Sequence, residues 1–121
     1  MANPVTRWQI VAQDAERVAA FYGDVFGWKM NSANSLGYRE LMSGQPNGID
    51  GGVWPNAPGA PNLVQLFIEV DDVDNYVARA QKSGASVLVP PSQLPDGDRM
   101  AILLDVAGLS FGLFTPGRKK S

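Results

Sequence analysis

The sequence predicts an α+β fold: two tandem βαβββ modules forming a curved mixed sheet with a concave cup and helices on the outer face. Three observations carry this. The apolar periods run strand, helix, strand, strand, strand, and then the same order repeats. The acidic helix starts Asp14 and Asp72 and the glycine stops Gly27 and Gly84 recur at nearly the same spacing. Finally, Gly48-Ile49-Asp50-Gly51-Gly52-Val53-Trp54 matches Gly108-Leu109-Ser110-Phe111-Gly112-Leu113-Phe114, keeping both glycines and three apolar positions. A module with one helix covers one face of its small sheet, so two modules side by side leave an open, concave face.

Thr6 to Ala12 alternates as a strand, with Trp8 and Ile10 on one side and Arg7, Gln9 and Val11 on the other. Asp14 caps a helix reaching Phe26, with Glu16 in its first turn. Val18, Phe21, Tyr22, Val25 and Phe26 fall at helical spacing and are expected to form its buried stripe. Gly27 stops the helix, and a strand follows near Trp28 to Asn31. Asn31 to Ser35 has turn composition. A third strand is expected from Leu36 to Met42, with Tyr38, Glu40 and Met42 on one face and Arg39 and Leu41 on the other. Its alternation does not say which face is buried. A fourth strand spans Ile49 to Trp54.

The proline-rich run Pro55 to Pro61 is unsuited to sheet or helix and reads as the linker between halves. Asn62 to Val70 is the best strand in the chain, with Leu66, Ile68 and Val70 opposite Gln65, Phe67 and Glu69. Asp71 or Asp72 caps a second helix on which Val73, Tyr76, Val77 and Ala80 make the stripe, and Gly84 ends it. Ala85 to Val89 reads as a strand broken by Pro90-Pro91. Met100 to Leu104 and Ser110 to Thr115 complete the module. The expected organisation is a single domain over 1–121: module 1 about 5–54, linker 55–61, module 2 about 62–116 and a tail at 117–121.

Composition narrows the chemistry. In 121 residues, 45% hydrophobic, there is enough apolar material for a core without staples. The chain has no cysteine and no histidine. That removes thiolate chemistry, the serine–histidine triad and the commonest transition-metal ligand. A net charge of −2 argues against general nucleic-acid binding. The run Arg118-Lys119-Lys120 reads as a solvated tail. No apolar stretch reaches membrane-spanning length, and Met1 to Pro4 carries no signal-peptide features, so a cytoplasmic protein is expected. Gly48 to Gly52 lacks the ending of a phosphate loop. Asp71, Asp72 and Asp74 lack the spacing of a calcium loop, and helix capping explains them better.

Phe21-Tyr22-Gly23-Asp24-Val25-Phe26-Gly27-Trp28, the helix start Val70-Asp71-Asp72-Val73-Asp74 and the turn Asp105-Val106-Ala107-Gly108 resemble the vicinal oxygen chelate superfamily. That group includes glyoxalase I, bleomycin-resistance proteins and extradiol dioxygenases. The resemblance implies two βαβββ modules around a cup, and a homodimer. In metal-dependent members, ligands occupy one inward position of the first and last strand of each module. Here those positions are Arg7, Gly52, Gln65 and Gly112. A cation, two glycines and an amide make a poor ligand set, so no metal and no other cofactor is expected.

The candidate ligand-binding residues on the expected concave face are Arg7, Gln9, Tyr38, Trp54, Gln65, Glu69 and Phe114, with Glu40. Aromatic walls with a few directed polar groups are the usual make-up of a small-molecule pocket. Arg7 suits a carboxylate or phosphate, or else pairs with Glu69 or Glu40. Glu69 and Glu40 are the candidate catalytic residues; each is equally readable as an ion-pair partner. Trp54 and Phe114 stack on a flat ligand or belong to the core. Three functions follow. One is a metal-free small-molecule binding protein, sequestering a toxic compound or antibiotic. Another is a metal-independent or atypical metal-dependent lyase, isomerase or dioxygenase-like enzyme using Glu69 or Glu40 with Arg7. The third is a structural or regulatory dimerisation module with a cup filled by its own side chains. None involves a nucleic acid or a membrane.

Overall fold

The computed structural model describes residues 2–33 and 37–117. Leu36, the expected start of the third strand, Asn34 and Ser35 of the turn, and the basic run from Arg118 lie outside those residues. The fold is α+β. The chain divides into two compact units, Thr6–Gln65 and Met1–Val5 with Leu66–Ser121.

The first unit contains β1 (Val5–Ala12), α1 (Ala15–Phe26), β2 (Lys29–Asn31), β3 (Arg39–Met42) and β4 (Gly51–Pro55). Its strands lie in the order β2-β3-β4-β1. β1 and β4 run parallel, with Gln9 opposite Gly52, while β3 pairs antiparallel with both neighbours. The second unit contains α2 (Val73–Lys82), β6 (Ser86–Gln93), β7 (Arg99–Leu104) and β8 (Ser110–Thr115), joined to β5 (Leu63–Glu69). The order is β5-β8-β7-β6, with Phe67 opposite Gly112 in the parallel pair. The two units thus repeat one topology in one register.

Both helix starts are capped as their sequences predict. The Asp14 carboxylate accepts from the Arg17 amide at 3.1 Å and that of Asp72 from the Asn75 amide at 3.2 Å. Gly27 closes α1 in the left-handed conformation, φ 75°, where a Cβ would be strained. In the second helix the cap is Ser83, and Gly84 follows it at φ 107°. Asp74 caps nothing. It forms a bidentate pair with Arg99 at 2.6 and 2.9 Å, which ties α2 to β7 and holds its carboxyl below the usual range.

The buried stripe of α1 is not the expected one. Ala15 and Ala19 are buried, with Val18 and Tyr22 packed against the same core, whereas Phe21, Val25 and Phe26 are exposed at 54%, 56% and 58%. Large apolar residues dominate a periodicity argument, but small ones let a helix approach a sheet closely. The bulk comes from the strands instead. Trp8, Ile10 and Trp28 surround Leu41 and Val53 in this core. The side chain of Trp8 lies over Gly51, where any Cβ would overlap its ring and carbonyl. On α2 the expected stripe holds: Val73 and Val77 are buried, with Tyr76 and Ala80 packed beside them.

Two proline readings also change. Pro55 is the last residue of β4, paired with Ala12, not the start of the linker. β6 continues through Pro90 and Pro91 to Gln93, because an edge strand needs no outward donor and the register shifts between Val89 and Ser92 absorb the prolines.

These assignments separate core from surface on stability. Leu41→Ala removes a side chain only 1% exposed and should cost about 2–5 kcal/mol. Val25→Ser, on the exposed side of α1, should stay within about 0.5 kcal/mol. Urea denaturation of the two variants checks this; equal losses would mean that α1 buries the phenylalanine side after all.

Candidate functional site

In the first unit, Leu41 and Val53 face α1, so their alternating neighbours face away from it. This settles the third strand: Glu40 and Met42 lie on the side opposite the helix, and Arg39 on the helix side, with Glu16 at 3.7 Å. Across that open side, Glu40 pairs with Gly52, which pairs with Gln9, while Val11 pairs with Trp54. Arg7 follows on the same side of β1.

Tyr38 completes the face. Its ring lies directly on Gly52, so a side chain at 52 would occupy the space the phenol now fills. The Trp54 ring stands 4.6 Å away, tilted by 33°. Burial pushes the Tyr38 phenol up to about 12; the Arg7 charge opposes the shift, and Glu40 and Asp50 reinforce it. The hydroxyl therefore stays neutral, and a hydrogen-bond donor, throughout the physiological range. Sequence reasoning missed Asp50. Its signal is its place one residue before the strand whose glycines the rings cover.

The remaining candidates sit on β5 and β8. Gln65, Phe67 and Glu69 share one side of β5; Gln65 is 6% exposed and Glu69 half-buried. The backbone amide of Glu69 donates to the Pro4 carbonyl at 2.9 Å. Phe114, at 2% exposed, packs with Phe67 and Ile102 in a small apolar cluster, 6.3 Å from Phe67 ring to ring. Phe67 lies over Gly112 as Tyr38 lies over Gly52. Within the first unit the structure assembles Arg7, Gln9, Tyr38, Glu40 and Trp54 on the side opposite α1, and within the second it packs Phe114 with Phe67.

A family model described as the Glyoxalase/Bleomycin resistance protein/Dioxygenase superfamily matches residues 4–113. The chain belongs to this superfamily. A protein called "Putative glyoxylase CFP32", from Mycobacterium tuberculosis and also from Mycobacterium bovis, is 33% identical over 113 residues. The match takes in 90% of this chain and 43% of that protein, so the chain spans under half the length of the curated relatives it matches. Among solved structures, a hypothetical protein from Bacillus halodurans superposes with TM-score 0.74 at 13% identity, covering 100% of this chain and 99% of that one. Streptomyces coelicolor methylmalonyl-CoA epimerase superposes with TM-score 0.66 at 19% identity, covering 100% and 99%. At these identities the structures establish the superfamily's fold and nothing finer.

The donor set at the superfamily's metal positions does not fit a metal ion. Arg7 brings a cation and Gln65 a weak amide oxygen. At 52 and 112 there is no side chain, and an aromatic ring covers each backbone. Among the described residues, no three of His, Cys, Asp and Glu are grouped to hold an ion. No helix among them is long and apolar enough to cross a membrane.

The raised phenol makes a pH prediction. A group whose folded pKa lies above its unfolded value stabilises the fold fully below the unfolded value, here 10.0. That contribution is lost as pH rises from there through about 12. Chemical denaturation between these pH values should show a falling stability that is shallower in Tyr38→Phe. Spectrophotometric titration should show one late-ionising phenol missing from the variant.

Proposed function

We propose that this protein is a metal-free small-molecule binder whose ligand lies on the Tyr38 face. The observation that carries this reading is the Tyr38 ring lying on Gly52 beside Trp54, on the side of the sheet that also carries Arg7 and Glu40. Two aromatic rings offer a stacking wall for a flat group. Arg7 supplies a fork for a carboxylate or phosphate, and the neutral phenol donates a hydrogen bond to a carbonyl or anionic oxygen. Sequestration of a toxic or antibiotic compound, as in bleomycin-resistance proteins, is the role this best supports. As in many relatives, the working form would be a homodimer.

A second reading rests on Glu40, placed on the same face directly across from Gly52. With Arg7 to hold an anionic substrate, Glu40 would shuttle a proton, and the chain would be a metal-independent lyase or isomerase. Glu69 is the other carboxylate of this kind. It lies on the side of β5 that also carries Gln65 and Phe67.

Thermal shift across flat aromatic anions and acyl thioesters, followed by calorimetry on the hits, tests both readings. Arg7→Gln should weaken an anionic ligand about tenfold. Glu40→Gln and Glu69→Gln should keep most of the affinity in a binder, whereas loss of a working general base lowers turnover by about 10²-fold or more. Elemental analysis of tag-free protein should find no stoichiometric transition metal. One tightly bound ion per chain would overturn the metal-free reading.

A further inference from the structure

The repeat exposes a difference between the two units. Gln9 opposite Gly52 and Phe67 opposite Gly112 set β1/β4 and β5/β8 in the same register. The caps Asp14 and Asp72 align the helix starts. By this correspondence Leu66 stands where Trp8 stands, Ala80 where Tyr22 stands, and Ala85 where Trp28 stands. In the first unit those three aromatics fill the groove between helix and sheet. The Trp8 and Trp28 rings lie 5.3 Å apart, and Trp28 stacks on Tyr22 at 5.4 Å and 8°. In the second unit the same groove is an open cleft of about 310 Å³.

Its floor is Ile68, Phe111 and Leu113, and Ala80 stands where a phenol would close it. Phe111 replaces Gly51 and lines the cleft that remains. The rim is polar. The Arg79 guanidinium sits 4.8 Å from the centre of the Tyr76 ring, with Ser83 beside it in the lining. The volume is at the lower end of the range for ligand pockets, about 300–1,000 Å³.

We infer that this cleft is a second binding site, for an aromatic monocarboxylate of roughly indole size. The apolar floor takes the ring, in the space that indole and phenol side chains fill in the other unit. Arg79 takes the carboxylate at the mouth, where a charged group remains partly hydrated. The site lies on the α2 side of its sheet and owes nothing to the residues of the Tyr38 face.

Indole-3-acetate is the probe, with neutral 3-methylindole as its control, titrated into the full chain and followed by methyl NMR. The expected result is saturable shifts of the Ala80, Ile68 and Leu113 signals. Ala80→Tyr, which restores the first unit's filling, should weaken binding about tenfold or more. Arg79→Gln should weaken the acid by about three- to tenfold and leave 3-methylindole within about twofold. Arg7→Gln should change neither affinity. If Ala80→Tyr loses the native spectrum, Ala80→Leu decides, with about a threefold weakening expected. The inference is overturned if no signal in the cleft saturates, if filling at position 80 leaves the affinity unchanged, or if the shifts centre on Tyr38 and Trp54 and vanish in Arg7→Gln.

Discussion

Aromatic rings packed against bare backbone hold this structure's faces in place. β4 has no side chain at Gly51 or Gly52, and a ring covers each: Trp8 on the α1 side and Tyr38 on the other. β8 repeats the arrangement on one side only, with Phe67 on Gly112. A ring in contact with a glycine strand packs at van der Waals distance over its whole face, and no residue larger than glycine leaves room for it. The glycines are therefore fixed by their neighbours, and the neighbours' positions fix what each sheet presents. Tyr38 is half-buried against Gly52, and the loss of water around its phenol keeps it neutral.

The same exchange of large for small governs how each helix meets its sheet. α1 buries alanines and receives the bulk of Trp8 from β1 and of Trp28 from the segment just before β2. α2 buries Val73 and Val77 and meets smaller partners, with Ala85 in the place of Trp28. One topology thus tolerates two distributions of volume, as close-packed interiors do when total volume and patterning are kept. The first unit closes its groove with stacked rings, and the second leaves a cleft beside Tyr76 and Arg79.

Within the superfamily the departures fall together. The two glycines at metal positions are each roofed by a ring, and the other two positions carry a guanidinium and an amide. A side chain at 52 would require moving Tyr38. Membership in the superfamily therefore carries the fold to this chain, while the chemistry rests on its own residues.

The repeat, the caps at Asp14 and Asp72 and the alternation of β1, β5 and β8 were legible in the sequence, because capping and strand period act over a few residues. Parity alone set Arg7 with Gln9 on the first strand and Tyr38 with Glu40 on the third, but not which side of the third strand joins Arg7. Which side of α1 is buried was not legible, since Ala15 and Ala19 weigh little in a hydrophobic period although close approach favours them. Nor was the path of β6 through Pro90 and Pro91, which depends on its being an edge. Sequence determined the elements, their order and the poverty of metal donors, all of which are local or compositional. Tertiary structure decided which rings cover which glycines, which face of β3 is open, and which unit keeps a cleft, because these depend on volumes meeting across strands far apart in the chain.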